Sequence, residues 1–480
     1  MTNFLQHDLK VKFLITIIIN NFFRLVYTNK NYYTDFMTIS NNDLFTQNAQ
    51  RIRDVIRYIK RFKNATVVIH IDDRVLESSL FTSHISDIAM MHDAGLKVVI
   101  VPGAKKRIDD VLKLNNVDWQ LKDGFRITEE NSIPLIKMAA FDVSNKIMTA
   151  LSGNGLTALI GNWVRSRAKG IIEGFDYGIC GEIDKIHIEA LNKVLDDGFI
   201  PIFPCIGWSA SGKPYNISSI KLACETAIKL NADKLFFLTP DCSITSSEFN
   251  ISSEMPLSPE GCIPALNLEE LDKFLLDNKD NSSPVINLLK NGLETCKKGV
   301  SRVHILNGQI DGTLPCEIFS DLGSGTMIYK SNYGGIRKMQ IDDISSVLTL
   351  MRPFIEKGIL LNRTEQDLQD TFSDFIVYEL DGAIRACASL HLYDDLQGEI
   401  AAIAVDKNCS HMGIGPKLVS YLIEEAKKES AKSVFVLTTQ TSDWFEKLGF
   451  IPDDIETLPE KRKALWTKKR NSKLLRLNLS

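Results

Sequence analysis

Gly398-Glu-Ile-Ala-Ala-Ile-Ala-Val405, followed by Ser410-His-Met-Gly-Ile-Gly-Pro416, reads as an apolar strand, a glycine turn and the start of a helix. The helix is supported downstream, where Leu418, Val419, Leu422, Ile423 and Ala426 recur at helical spacing against a wet side of Glu424, Glu425, Lys427 and Lys428. The first N–H groups of such a helix have no partner within it, and its dipole points the same way, so the turn attracts phosphate. Gly413 and Gly415 lack the side chains that would hold a pyrophosphate off the backbone. In this turn the Gly-Lys-Ser/Thr ending of a P-loop is missing and only one full Gly-x-Gly occurs, and the segment left before the C-terminus is too short for a complete dinucleotide-binding domain.

The chain of 480 residues is long enough for roughly two or three domains, each with its own core. Charged residues at 24% and hydrophobic residues at 44% describe an ordinary globular composition, and a net charge of −4 argues against nucleic acid or an anionic membrane as partner. The nine cysteines are scattered, without CxxC or metal-ligand spacing against the eight histidines, so no metal is expected and the thiols read as reduced, small buried residues of a cytoplasmic protein. Near the N-terminus, Phe13-Leu-Ile-Thr-Ile-Ile-Ile19 follows Lys10 and Lys12 as in a secretion signal. It breaks at Asn20-Asn21, is too short to span a bilayer and has no small-residue cleavage site, so residues 1–47 are expected to be a disordered or spurious extension, with Met37 as an alternative start.

From residue 48 to 330 strands and helices alternate, which predicts a largely parallel α/β sheet. Val67–Ile71, Lys97–Val101, Ile200–Phe203, Lys234–Leu238 and Arg302–Leu306 are the buried strands, and Phe81–Ala94 is helical. A short polar joint, Ser331-Asn-Tyr-Gly-Gly335, separates this region from a fresh start at Ile336 that runs to the C-terminus.

The first region resembles the amino-acid kinases, specifically the acetylglutamate kinase branch. The resemblance rests on Asp87-Ile, Gly95-Leu-Lys-Val-Val-Ile-Val101, Asp123-Gly-Phe-Arg-Ile-Thr128, Tyr215-Asn-Ile217, His304-Ile-Leu, Glu317-Ile-Phe and Gly325-Thr-Met-Ile328. It implies an αβα sandwich. Where such kinases carry Lys-x-Gly-Gly to meet the phosphates, this chain has His70-Ile-Asp72-Asp73, which sets two carboxylates against a polyanion. The His-Gly-Gly-Gly loop reads Pro102-Gly103-Ala104-Lys105, and the Asn-Ala-Asp motif reads Ile217-Ser218-Ser219. Phosphoryl transfer is therefore not expected. Arginine-sensitive members bind arginine between an N-terminal helix carrying a tyrosine and the last loop of the domain. The resemblance places that site at Tyr58, Glu317 and Gly325, with a carboxylate to meet the guanidinium. The plainer alternative is a half-buried helix tyrosine and a solvated glutamate.

Residues 336–480 resemble the GNAT acetyltransferase half of the fused bacterial N-acetylglutamate synthases. The motifs are Met351-Arg-Pro353, Gly358-Ile-Leu-Leu-Asn-Arg363, Gly398-Glu-Ile-Ala, Val436-Leu-Thr-Thr439, Trp444-Phe445, Gly449-Phe450, Leu458-Pro459 and Arg470-Asn-Ser-Lys473. The resemblance implies acetyl-CoA as cosubstrate, with no bound cofactor, held by Ile403, Val405, Ser410, His411, Met412, Gly413, Ile414 and Gly415. Ser410 stands where the family has a basic residue, which predicts weaker acetyl-CoA affinity. Glu399 is the candidate general base, against the alternative of an outward-facing edge-strand glutamate. Arg363, Gln440, Arg470 and Ser472 fall at the acceptor-binding positions, where guanidiniums suit the two carboxylates of L-glutamate. Gln440 replaces an arginine or asparagine, and Ala402 a cysteine. The stretch Lys461-Arg-Lys463 reads as a solvated basic face or as contacts for the CoA phosphates. No tyrosine lies close to the C-terminal motifs, so no general acid is assigned.

The expected activity is acetyl transfer from acetyl-CoA to L-glutamate at the start of arginine synthesis, with L-arginine as inhibitor. The alternatives are another acceptor amino acid, or an arginine-binding regulator whose transferase site has decayed. By resemblance the protein is expected to be a homo-oligomer, commonly a hexamer.

Overall fold

In the computed structural model the described residues are 52–53, 55–56, 59–60 and 62–479, apart from 123, 128, 253–254, 256, 259–260, 320–324, 331–333, 381–382, 408, 410–412 and 468–470. The N-terminal extension, Tyr58, Ser410, His411, Met412 and Arg470 lie outside them. The chain forms two compact units that part between Lys330 and Ser331. No helix among the described residues is long and apolar enough to cross a membrane.

The first unit is built on an eight-stranded sheet. Its strands are β1 (Thr66–Ile71), β2 (Lys97–Pro102), β3 (Ala158–Ile160), β4 (Ile200–Ile202), β5 (Lys234–Thr239), β6 (Ala265–Asn267), β7 (Arg302–Asn307) and β8 (Gly325–Tyr329), in the spatial order β6-β8-β7-β5-β1-β2-β4-β3. Every neighbouring pair is parallel except β7 with β8. The central strands are continuous apolar runs because helices cover both faces. All six residues of β5 are buried, as are all but the first of β1 and β2. The predicted parallel α/β sheet and its buried strands are thus present, and helix α1 (Phe81–Asp93) lies where its period placed it. A second sheet of four short strands, Pro214–Asn216, Ile206–Trp208, Val164–Ala168 and Gly181–Ile186, extends the unit. Helix α2 (Ile133–Gly153) buries Ile136, Ala140, Ile147 and Leu151 in the main core, and α3 (Ser219–Lys229) is capped by the Ser218 hydroxyl, which accepts from the Lys221 N–H.

The second unit is a seven-stranded sheet. Its elements run β9 (Gly334–Lys338), α4 (Ile344–Glu356), α5 (Glu365–Thr371), β10 (Phe375–Leu380), β11 (Ala383–Leu392), β12 (Gln397–Val405), α6 (Ile414–Lys428), β13 (Ser433–Thr438), α7 (Ser442–Lys447), β14 (Ile451–Asp453), α8 (Glu460–Lys463) and β15 (Lys473–Asn478). The spatial order is β9-β10-β11-β12-β13-β15-β14, and the one parallel pair, β12 with β13, lies inside the sheet. One face packs Ile376, Ala388, Ile400 and Val434 against Leu418, Val419 and Leu422 of α6. The other packs Phe375, Val377 and Cys387 against Val347 and Met351 of α4 and Leu368 of α5.

Gly325 has a packing reason that its place in the expected arginine site does not require. It opens β8 opposite Leu306, and a Cβ there would collide with the backbone carbonyl of Ile305. A backbone group in a paired strand cannot swing aside. Gly325→Ala is expected to destabilise the first unit by about 2–4 kcal/mol, read as a lowered thermal midpoint. An unchanged midpoint would show that the β7–β8 pair gives way.

Candidate active site

The site grows from the way β12 pairs. Strand β13 follows it in parallel only at Gln397↔Ser433, Gly398↔Val434 and Glu399↔Phe435; beyond Glu399 the two strands share no further register. On its other side β12 stays paired with β11 from Leu392↔Gly398 to Ala386↔Val405, with a register shift between Cys387 and Ser389. Opposite that shift Ala402 has φ of 53°, the left-handed region that non-glycine residues seldom enter. The extra residue reverses the alternation of side chains. Ile400 packs on the α6 face, and after the irregularity Ile403 and Val405 do so as well, while Ala402 and Ala404 turn to the α4 face. Backbone groups of 400–405 on the β13 side are thereby left without a strand partner, at the mouth of a fork. This is where Ile403 and Val405 were expected to hold pantetheine, and the two residues are brought to it.

Helix α6 starts beside this fork. Its N-cap is Gly413, with φ of 64° and no side-chain cap hydrogen bond, so the N–H groups of Ile414 and Gly415 are not capped by a side chain, and Pro416 has none. Gly413 meets nothing among the described residues where a Cβ would sit. Gly415 differs from the expectation. A Cβ there would come within 3.1 Å of the Trp444 indole, so its glycine also serves the packing of α7 on α6.

Glu399 is not an edge glutamate. It is 5% exposed on an interior strand, facing His391 across β11 and Phe435 across β13. Two donors meet its Oε2: the Tyr393 hydroxyl at 2.9 Å and the Arg462 Nε at 2.7 Å. Neither contact was read from the sequence. Tyr393 is brought to Glu399 by the turn at Asp394–Leu396, which folds β11 back on β12. Leu396 takes φ of 63° there, and the Tyr393 N–H reaches the Gln397 carbonyl at 2.9 Å. Burial and the neighbouring Glu399 charge push the Tyr393 phenol well above its ordinary range. Arg462 is not part of a solvated face. Its flanking Lys461 and Lys463 turn outward to Asp394 and Glu456, while Arg462 points inward from the single turn of α8 with its side chain 15% exposed.

Arg363 joins the same cluster. It precedes Thr364, whose capping box with Asp367 fixes the start of α5: the Asp367 N–H donates to the Thr364 hydroxyl at 3.1 Å, and the Thr364 N–H to the Asp367 carboxylate at 2.7 Å. The guanidinium lies 5.2 Å from the centre of the Phe375 ring and makes no hydrogen bond among the described residues. Burial lowers its pKa, opposed first by the charge of Glu399. Ser472 is 7% exposed just before β15, and its carbonyl accepts from the Trp466 indole at 3.3 Å. Gln440 sits exposed past the end of β13, where its backbone N–H donates to the Thr438 hydroxyl, and it is not brought to Glu399. Next to Glu399, His391 bonds Asp374 at 2.7 Å and Ser389 at 3.1 Å. The trio has the composition of a hydrolytic triad, but Ser389 is fully buried, so it braces β11 and offers no nucleophile.

The altered motif of the kinase-like unit lies at the end of β1. His70 lies at the buried end of β1 with Nε2 3.0 Å from the Ser219 hydroxyl. Asp72 is not the bare carboxylate that the motif suggests. Arg74 bonds it through Nε and Nη2, both at 2.9 Å, and also reaches Asp241. Burial opposes ionisation of Asp72, but the Arg74 hydrogen bonds outweigh it and hold the carboxyl at about 2. Glu317 is half-buried with its side chain 9% exposed, and its Oε1 is 2.7 Å from His304 Nδ1, so it is not unengaged.

Two family models match the chain: the amino acid kinase family over residues 65–307 and the acetyltransferase (GNAT) family over residues 343–450. The amino-acid acetyltransferase of Vibrio vulnificus is 33% identical over 433 residues, covering 88% of this chain and 96% of the relative. That of Yersinia pestis is 31% identical over 444 residues, covering 90% and 99%. This chain belongs to the amino-acid acetyltransferases. Two crystal structures of N-acetylglutamate synthase from Neisseria gonorrhoeae resemble it over 90% of this chain and 99% of theirs. One, complexed with coenzyme A and L-arginine, is 29% identical with a TM-score of 0.75. The other, complexed with coenzyme A and N-acetyl-glutamate, is 30% identical with a TM-score of 0.56. This amino-acid N-acetyltransferase is therefore of the fused type, with a kinase-like unit ahead of the GNAT unit and acetyl-CoA as cosubstrate.

His70 provides a pH test of the remodelled kinase motif in this acetyltransferase. Burial lowers its pKa from 6.5 to about 4, with Asp72 opposing. The unfolded chain thus takes a proton near 6.5 that the folded chain refuses until about 4. Stability is full above 6.5 and falls as the pH drops, by about 1.4 kcal/mol per unit. In His70→Gln the fall in thermal midpoint between pH 6.5 and about 5 is expected to be shallower than in the parent. Equal slopes would mean that His70 is not the group involved.

Proposed function

We propose that the protein is an N-acetylglutamate synthase: it transfers acetyl from acetyl-CoA to the α-amine of L-glutamate, opening arginine biosynthesis, and is inhibited by L-arginine through its kinase-like unit. The observation that carries the acceptor assignment is Arg363, a half-buried guanidinium near Glu399 and Arg462 that makes no hydrogen bond among the described residues. Its donors suit a carboxylate of the acceptor, and a partly buried cation without a partner is costly. L-glutamate offers a side-chain carboxylate as well as its α-carboxylate, whereas alanine and lysine offer only the latter. The Neisseria gonorrhoeae synthase bound to N-acetyl-glutamate supports the same acceptor, and its complex with L-arginine supports the inhibitor.

In the proposed reaction Glu399 takes a proton from the acceptor ammonium, directly or through water. The freed amine pair bonds the thioester carbonyl carbon. The oxygen that becomes negative is met by backbone N–H groups at the fork of β12, with Ile403 and Val405 as the candidates. The C–S bond then breaks with its electron pair leaving on sulfur, and the thiolate takes up one proton as the nitrogen sheds its second. In this reading Arg363 holds a carboxylate of the acceptor by charge-assisted hydrogen bonds.

Two substitutions test the roles separately. Glu399→Gln is expected to lower kcat by about 10²–10⁴-fold with both KM values little changed. Arg363→Met is expected to raise the KM for glutamate by about 10-fold or more while leaving that for acetyl-CoA unaltered. A panel of acceptors decides the substrate: if glutamate is no better than alanine or lysine, the synthase reading is wrong. Arginine added to the same assay should slow it, and an unaffected rate would remove the regulatory part alone.

A further inference from the structure

The two hydrogen bonds to Glu399 are unevenly placed. Both the Tyr393 hydroxyl and the Arg462 Nε end on Oε2, and Oε1 makes no hydrogen bond among the described residues. We propose that Tyr393, with Arg462, is a positioning residue that grips one oxygen of the catalytic carboxylate so that the other is presented to the acceptor amine. The inference rests on the reading of Glu399 as the base.

A free glutamate side chain spreads over many rotamers, and fixing it costs conformational entropy. Two donors from different elements remove that freedom before the substrate arrives. Each donor is itself held. The Tyr393 ring stacks on Phe435 with centroids 6.0 Å apart, and its backbone is tied to Gln397 by the hairpin. Arg462 is set by the turn of α8, in which its N–H bonds the Pro459 carbonyl at 2.8 Å. In the β11–β12 register Tyr393 is the diagonal neighbour of Glu399, one pair beyond His391 on the same face, close enough for a long side chain to reach. An uphill phenol also suits the role: Tyr393 keeps its proton and remains a donor.

Tyr393→Phe removes the hydroxyl and keeps the stacked ring, so the fold has little cause to change. It is expected to lower kcat by about tenfold while both KM values stay within about twofold, the signature of a misaimed base. The decisive comparison is in the Glu399→Gln background, where Tyr393→Phe should cost less than twofold because no base is left to aim. A wild-type kcat in Tyr393→Phe overturns the inference, as does a change confined to KM. An equal loss in both backgrounds overturns it too, since that would mark a structural role. If Glu399→Gln is itself as fast as the parent, the reading of Glu399 as base fails instead, and the two failures are told apart.

Discussion

Everything in the acetyltransferase unit depends on how long two strands stay together. β12 and β13 are joined by parallel hydrogen bonds only as far as Glu399, and a sheet that parts in its interior exposes backbone donors that would elsewhere be consumed. An unpaired buried amide costs free energy, so a ligand with acceptors is needed there. In the proposed reaction the fork is where the pantetheine amides and thioester would lie, and Glu399, the proposed base, is the last paired residue. At that position the carboxylate has a rigid strand behind it and an opening ahead. The left-handed Ala402 is part of the same device, because the reversal of side-chain parity lets β12 bury apolar groups on both faces while bending out of register.

The electrostatics follow from that placement. A carboxylate at 5% exposure needs partners, and it has them in Arg462 and Tyr393. Arg363 lies near them with a guanidinium that makes no hydrogen bond among the described residues. In the proposed reaction that guanidinium would favour an acceptor with a second carboxylate over a basic one.

Much of this was legible in the chain, for physical reasons. The buried strands of the first unit are runs such as Thr66–Ile71 and Lys234–Thr239, which only a sheet covered on both faces would use. Glu399 stood out as a lone charge in an apolar strand before a glycine turn. Tyr393 was missed because the motifs were read along the chain and not across the hairpin. Centred on Asp395, the segment His391 to Glu399 pairs 391 with 399 and 393 with 397, so the signal was present in the alternation of larger side chains. Arg462 gave no such signal. Among Lys461, Arg462 and Lys463 nothing local marks which cation turns inward, and only the single helical turn of α8 decides it.

The kinase-like unit shows how a motif can be lost without leaving a hole. Read as a sequence, His70-Ile-Asp72-Asp73 puts uncompensated negative charge where phosphates would go. In the fold, Arg74 follows immediately and binds Asp72 and Asp241 together, while His70 turns to Ser219 on α3. Asp72 and His70 are thus each bonded to neighbours in the fold, while the buried His70 Nδ1 has no hydrogen-bond partner among the described residues. The pairing spares Asp72 the cost that an unpaired charge at the sheet end would carry. The fold is kept because its core of parallel strands does not depend on those residues, and any ligand the unit still binds must be held by other groups.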